Sequence, residues 1–186
     1  MQDISNRAEN NTDESTAEPT DDSLDLTDLN ARVEAEEYRN LGQERQAQGD
    51  VEDAAAYYRV SLDLFPTAEA HTYLGWAIAS RGSWDEAIAE CEKAIALDPD
   101  LGNPYNDIAV YLIELNRLDE ALPYLEKAKA AVRYDCCHYP YYHQGRILER
   151  KGRFTAARDA YRASLDIEPT WEPARIGFHR ALGFLN

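Results

Sequence analysis

A six-residue motif recurs four times along this chain, and its spacing limits the folds that the chain can adopt. Each copy begins with glycine or asparagine and ends five residues later with alanine; the copies span residues 49–54, 82–87, 116–121 and 152–157. Their final alanines are 33, 34 and 36 residues apart. Self-similarity at this period predicts a stack of supersecondary units, each of which buries its apolar face against the next.

The residue types within each repeat predict two antiparallel helices. A small residue precedes each motif and a bulkier one follows it, in the pairs Gly42 and Tyr58, Gly75 and Cys91, Ala109 and Leu125, and Gly145 and Tyr161. The small residues let the two helices approach closely, while the bulkier ones fill the space between repeats. The glycine or asparagine of the motif turns the chain, and prolines end three of the second helices: Pro66, Pro99 and Pro169.

This pattern resembles the tetratricopeptide repeat family over roughly residues 35–171. The resemblance implies an all-α fold, a right-handed superhelical stack of four helix hairpins with units at 35–67, 68–101, 102–137 and 138–171. The third unit departs from the pattern, because Arg133 replaces the closing proline and two extra residues are present. Residues 172–186 have a proline in the first predicted turn and are expected to form the C-terminal capping helix.

The first 30 residues differ in composition from the repeats. They contain nine acidic residues, one arginine and no aromatic residue. Such a segment cannot bury enough apolar surface to offset the entropy of ordering it. We therefore expect a disordered acidic tail over residues 1–30, and a first helix from Ala31 to about Ala47 with Asn30 as its N-cap.

The overall charge and the cysteine content restrict the partners and the compartment. A formal net charge of -16 repels polyphosphates, so nucleic acid and anionic membranes are not expected as partners. No run of 18 apolar residues and no basic-apolar leader occur, so neither a membrane helix nor a secretory signal is predicted. Three cysteines, two of them adjacent, fit a reducing compartment. We expect a cytoplasmic protein.

The resemblance also implies a concave groove lined by one face of each first helix. Its predicted residues are Arg39 and Gln43 in the first unit, Tyr73 and Trp76 in the second, Asn103, Asn106 and Asp107 in the third, and Tyr139, Tyr142, His143, Arg146 and Arg150 in the fourth. Aromatic residues and arginine dominate binding energy at interfaces, and asparagine can pair with the backbone of an extended peptide. The alternative is that Tyr73, Trp76 and Tyr142 pack against neighbouring helices instead.

One ligand class known for the family does not fit these residues. Co-chaperones grip the C-terminal carboxylates of heat-shock proteins with lysine, arginine and asparagine at five groove positions. Those positions hold Arg39, Gln43, Tyr73, Asn103 and Asp107 here. Because Asp107 would repel a carboxylate, we do not expect a clamp for an acidic C-terminus.

The cysteines and histidines between the third and fourth units raise the question of a metal or redox site. His138 and His143 are about 140° apart around a helix, so they cannot converge on one ion. Paired ligands at C-x-x-C or H-x-x-x-H spacing are absent, and no metal or cofactor is predicted. A redox-sensitive turn at Cys136 and Cys137 stays open, because exposed thiols beside a histidine can titrate at low pH.

These observations predict a non-enzymatic protein–protein interaction adaptor that binds a peptide or helix of a partner in the groove. Motifs for nucleotide binding, zinc hydrolysis and serine hydrolysis are all absent, so the chain is not expected to be an enzyme. The alternatives are a secretion or assembly chaperone for one substrate, and a redox-responsive or metal-binding regulator centred on Cys136 and Cys137. The sequence predicts neither the partner's identity nor the oligomeric state.

Overall fold

A computed structural model describes residues 22–185, with side chains from Leu26 onward. This part of the chain forms nine α-helices: α1 Asp22–Gln48, α2 Val51–Leu64, α3 Ala68–Ala79, α4 Trp84–Leu97, α5 Asn103–Glu114, α6 Leu118–Ala130, α7 His138–Arg150, α8 Phe154–Ile167 and α9 Glu172–Gly183. The helices α1 to α8 make four hairpins, and α9 packs against α8. The predicted all-α stack is confirmed.

The turn inside each hairpin has a left-handed backbone at the residue that the motif singles out. The φ angles are +87° at Gly49, +83° at Gly82, +59° at Asn116 and +70° at Gly152. A side chain is strained in this region, so glycine is favoured there and asparagine is tolerated. The sequence motif therefore marks the end of each first helix.

The bulky residue of each second helix packs directly on the small residue of its first helix. A Cβ atom added at Gly42 would lie 2.4 Å from the Tyr58 ring, and one at Gly145 would lie 2.6 Å from the Tyr161 ring. Tyr161 also fills the space over Gly177 of α9, where an added Cβ would again lie 2.6 Å away. These contacts leave no room for a larger residue on the first helix.

Buried hydroxyl groups tie the two helices of a hairpin together. Ser61 Oγ donates to the carbonyl oxygen of Ala35 at 2.7 Å, and Ser164 Oγ donates to that of His138 at 3.0 Å. Both serines are almost fully buried, so their hydrogen bonds remove the penalty of desolvating a hydroxyl group. The repeated serine position thus fixes where the second helix lies along the first.

The first helices lie on the inner side of the stack. Each first helix contacts the first helices of its neighbours: α3 contacts α1 and α5, and α7 contacts α5 and α9. The second helices of neighbouring units do not contact one another within the described residues. Neighbouring first helices therefore lie closer together than neighbouring second helices do. This difference curves the stack and puts the first helices on its concave face.

The third unit ends in an extended linker over residues 131–137 instead of a proline turn. Arg133 N donates to Asp100 O, and Gly102 N donates to Arg133 O, both at 3.0 Å. Gly102 is required here, because a Cβ atom on it would lie 2.4 Å from Cβ of Tyr134. The linker therefore binds back onto the loop between α4 and α5.

The first helix begins earlier than the sequence predicted. It starts at Asp22, so residues 22–30 are helical instead of forming a disordered tail, and Asn30 lies inside the helix instead of capping it. An ion pair of 2.9 Å between Arg32 and Asp28, one turn apart, stabilises the extension. The rest of the predicted tail, residues 1–21, lies outside the described residues.

We expect Gly145→Ala to lower the free energy of unfolding by about 1–3 kcal/mol, because the added methyl group overlaps the Tyr161 ring. In an open helix the same change would raise stability by up to about 1 kcal/mol. Gly183→Ala is the matched control, since nothing lies within 4 Å of its new Cβ atom. Urea unfolding followed by circular dichroism measures both variants. Unchanged or increased stability of Gly145→Ala would contradict the packing described above.

Candidate functional site

The concave face holds one cleft to which three successive first helices contribute. Its volume is about 260 Å³. It is lined by Gln46 of α1, by Glu69, Thr72, Tyr73 and Trp76 of α3, by Asn103 and Asp107 of α5, and by Leu101 of the preceding loop. Four of the predicted groove residues, Tyr73, Trp76, Asn103 and Asp107, therefore lie together in this cleft.

Two aromatic side chains form the apolar wall of the cleft. Tyr73 stacks on Tyr58 with ring centroids 5.5 Å apart and an interplanar angle of 18°. The Tyr58 hydroxyl in turn donates to Gln46 Oε1 at 2.7 Å, so α1, α2 and α3 together fix the Tyr73 ring. Trp76 keeps 39% of its surface exposed in the same cleft. Packing explains Tyr73 in part, but it leaves much of Trp76 free for a ligand.

Asp107 supplies a carboxylate to the floor of the cleft. Burial raises the pKa of Asp107 to about 7, against a small opposing effect from Asn106. The Asn106 Nδ2 atom donates to Asp107 Oδ1 at 3.5 Å, a long contact. Asn106 itself is only 7% exposed, so it supports Asp107 and offers little surface to a partner. Its predicted contact with a peptide backbone is not supported by this burial.

Arg133 holds one of the residues that line the cleft, Glu69. Its guanidinium group pairs with Glu69 at 2.6 Å and also with Asp98. These two carboxylates belong to α3 and to the loop after α4, so Arg133 joins the linker of the third unit to the second unit. The residue that replaces the closing proline thus helps to set the position of the cleft rim.

In the fourth unit, the predicted groove aromatics pack among themselves. Tyr139 lies against His138 and Trp171, with ring centroids 4.4 and 5.0 Å away. Tyr142 makes an edge contact with Trp171 at 6.4 Å. His143 is 8% exposed, and burial, with Arg146 nearby, lowers its pKa to about 3. His143 is therefore too buried to offer its ring freely to a partner, whereas Tyr139 and Tyr142 stay partly exposed beside Trp171 and remain predicted groove residues.

The arginines of the fourth unit line a separate cavity of about 360 Å³ between α7 and α9. Arg146 pairs with Glu114 of α5 at 3.0 Å, and Arg150 Nη1 donates to the carbonyl oxygen of Ile113 at 2.8 Å. Glu149, in the same cavity, pairs with Arg180. Near its C-terminal end, the inner face thus carries arginines whose guanidinium groups already have carboxylate or carbonyl partners.

The first unit contributes less than predicted. Arg39 pairs with Glu36 at 3.0 Å and lines a smaller cavity of about 160 Å³ that faces Phe65. Gln43 is partly buried. Gln46, one turn beyond it, is the α1 side chain that lines the main cleft. Gln46, another groove position that the resemblance implies, thus lies in the main cleft, whereas Arg39 lines a separate cavity.

Cys136 and Cys137 are free thiols in the linker before α7. Burial raises the pKa of Cys136, and Asp135 and Cys137 add to the effect. The expectation of a thiol that titrates at low pH is therefore wrong for Cys136. Cys137 Sγ donates to the carbonyl oxygen of Tyr134 at 2.8 Å. In the part of the chain that the structure describes, no three His, Cys, Asp or Glu residues are placed to share a metal ion.

Sequence reasoning did not identify three residues that shape the inner face: Leu101, Arg133 as a partner of Glu69, and Trp171. Leu101 and Arg133 lie in loops, where helical periodicity gives no information about direction. Trp171 is the last residue before the capping helix, so the repeat pattern assigned it no face. The residue type was the one feature of the sequence that could have indicated a packing role for Trp171, because large aromatic residues seldom remain fully exposed.

Comparison with known proteins identifies the family. The sequence profile described as tetratricopeptide repeat matches residues 39–101 and 106–170, more than half of the chain. The chain belongs to the tetratricopeptide repeat family. Proteins with this repeat are generally non-enzymatic scaffolds that bind protein partners.

The tetratricopeptide chain also resembles part of a much longer mammalian protein. Sperm-associated antigen 1 of Mus musculus is 33% identical over 102 residues, which cover 55% of this chain and 11% of that protein. The Rattus norvegicus protein is 35% identical over 78 residues, or 42% of this chain and 9% of that protein. The chain therefore spans about a tenth of the length of the curated relatives that it matches.

Solved tetratricopeptide structures share the fold at low sequence identity. PilF of Pseudomonas aeruginosa has a TM-score of 0.76 and 22% identity, covering 84% of this chain and 69% of that chain. PilW, a type IV pilus biogenesis factor, has a TM-score of 0.74 and 23% identity, covering 79% and 68%. YrrB, a protein with an unusual peptide-binding site, has a TM-score of 0.60 and 21% identity, covering 80% and 76%. These similarities establish the fold alone.

None of the helices in the described residues combines the length and the apolarity needed to cross a bilayer.

We expect Asp107→Asn to be more stable than the unchanged chain at pH 8, by up to about 4 kcal/mol, with a smaller difference at pH 5. The pKa of Asp107 is about 7 in the folded state against an ordinary value of 3.8. Binding of a proton by Asp107 therefore stabilises the folded state. This contribution to the free energy of unfolding is fully present below pH 3.8 and is lost as the pH rises through 7.

Urea unfolding at pH 5 and pH 8 measures this difference. Glu86→Gln on α4 is the control, because it removes one exposed carboxylate and leaves the cleft intact. A stability gain of Asp107→Asn that is the same at both pH values would contradict the shifted pKa of this carboxyl group.

Proposed function

We propose that this tetratricopeptide protein is a non-enzymatic adaptor that binds a peptide segment of a protein partner on its concave face. The cleft between α1, α3 and α5 is the observation that carries the proposal. It combines an exposed indole ring, a fixed phenol ring, an exposed amide and a carboxylate in one concavity. Concave sites with a few convergent polar groups are typical of ligand binding.

The shape of the cleft favours an extended segment over a compact domain. Side chains from three successive first helices contribute to it, so a bound chain would run across the helices along the inner face. Asn103 is exposed at its edge and can both donate to and accept from a peptide backbone. Trp76 supplies the kind of aromatic anchor that dominates binding energy. YrrB, which shares the fold, is described as having a peptide-binding site.

We expect a photoreactive benzoylphenylalanine in place of Trp76 to form covalent adducts with the partner in cells of the source organism. The same residue in place of Ala96 is the matched control, because Ala96 is exposed on α4 of the same hairpin, away from the first-helix layer. Denaturing gel electrophoresis after irradiation compares the two variants. Adducts of equal yield and size at both positions, or adducts at position 96 alone, would exclude the concave face as the binding site.

A further inference from the structure

The hydrogen-bonding groups around Asp107 are incompletely paired within the described residues. Its carboxylate receives one long hydrogen bond from Asn106, at 3.5 Å, and Asn106 Oδ1 is buried without a partner within the described residues. The nearby Thr72 hydroxyl cannot supply the missing donor, because it already donates to the carbonyl oxygen of Ala68 at 2.7 Å. Leaving a buried acceptor without a donor is costly. The buried Tyr111 hydroxyl, on the same helix as Asp107, also has no partner within the described residues, so an acceptor and a donor both stay unpaired here, and the Asp107 carboxylate keeps only its long bond from Asn106.

The charge of Asp107 is also unbalanced. No lysine or arginine lies within the 4.0 Å ion-pair distance of its carboxylate in the part of the chain that the structure describes. The second carboxylate of the cleft, that of Glu69, differs in this respect because Arg133 pairs with it at 2.6 Å. Asp107 is thus the cleft carboxylate to which a ligand can bring the missing positive charge.

The walls around this carboxylate suit the same kind of ligand. Tyr58 covers one face of the Tyr73 ring, and Trp76 is 39% exposed. Aromatic faces attract ammonium and guanidinium groups, most strongly in the case of tryptophan. The volume of about 260 Å³ is below the roughly 300–1,000 Å³ of sites for drug-sized molecules, so it matches a single long side chain.

We propose that the cleft recognises the cationic side chain of a lysine or arginine in the bound peptide, with Asp107 pairing with its charged group and Trp76 packing on its stem. This inference rests on the proposed function and specifies the chemistry of the partner. A basic segment is also attracted by the formal net charge of -16 at long range, which speeds encounter without selecting a site.

Asp107 is the carboxyl group of this cleft whose pKa lies near neutral pH. Burial raises the pKa values of Cys91 on α4, Tyr111 on α5 and Tyr134 in the linker, so all three stay neutral. Several other ionisable groups on packed elements are neutral or engaged: His71 of α3 with Glu90 of α4, His143 of α7 with a pKa of about 3, Arg146 of α7 with Glu114, Glu69 of α3 with Arg133, and Lys127 of α6 over Tyr105 and Tyr124.

The experiment is selection from a random peptide library displayed on phage, followed by affinity measurements on the full chain with the enriched peptides. Peptides without histidine are used, so that only the protein titrates near neutral pH. Three variants are compared: Asp107→Asn, which tests the carboxylate; Glu86→Gln, which changes the net charge equally on an exposed part of α4; and Trp76→Ala, which tests the concave face.

We expect the enriched peptides to share a lysine or arginine, and Asp107→Asn to weaken their binding at least about tenfold while Glu86→Gln leaves it within about twofold. Because only the ionised carboxylate pairs with a cation, affinity should be about tenfold higher at pH 8 than at pH 6, and this difference should disappear in Asp107→Asn. Thermal unfolding of each variant establishes that the fold is retained.

The two proposals fail in different ways. Peptides that depend on Trp76 but show no preference for a cation, or bind Asp107→Asn as tightly and with the same pH profile, would overturn the cation assignment and leave the adaptor function intact. If Glu86→Gln lost as much affinity as Asp107→Asn, the effect would come from net charge alone. That result would also overturn the cation assignment. If no peptide bound the unchanged chain better than Trp76→Ala, both proposals would be wrong.

Discussion

The contact between a large residue of each second helix and a small residue of its first helix determines the rest of the structure. Tyr58 over Gly42 and Tyr161 over Gly145 bring the helices so close that the first helices can rotate very little. The hydroxyl groups of the same tyrosines extend to the inner face, where Tyr58 holds Gln46 and Tyr161 holds Glu149. In the first and fourth hairpins, the packing that stabilises the hairpin therefore also orients a polar side chain of the concave surface.

The inner face has two chemically different regions. The cleft near Trp76 combines aromatic walls with the carboxyl group of Asp107. Burial disfavours the charged form of this group and raises its pKa. The cavity between α7 and α9 is lined mainly by arginines, which are engaged by Glu114, Glu149 or a backbone carbonyl group. Because the Asp107 carboxylate has no cationic partner within the described residues while these arginines already have acceptors, the cleft is the part of the inner face that gains most from a cationic ligand.

Periodicity in the sequence was sufficient to predict the hairpins, the turns inside them and the C-terminal helix, because each depends on residue types at fixed positions. The family resemblance, in turn, implied that Tyr73, Trp76, Asn103 and Asp107 share one surface. The fourth unit was predicted less well, because periodicity indicates which face of a helix a residue occupies but not which neighbour covers that face. Trp171, outside the repeated positions, packs against two of the aromatic residues there. The early start of α1 was missed for a related reason, since composition alone does not register helix ends stabilised by local ion pairs.

Whether a peptide binds across the first helices is tested most directly by following backbone amide and indole chemical shifts of the isotope-labelled chain during titration with a selected peptide. The account predicts that the largest changes occur at Trp76, Asn103 and Asp107 and their neighbours on α3 and α5, with little change on α4 and α6. Changes concentrated on the second helices, or on the exposed apolar residues Leu29 and Val33 of α1, would contradict it.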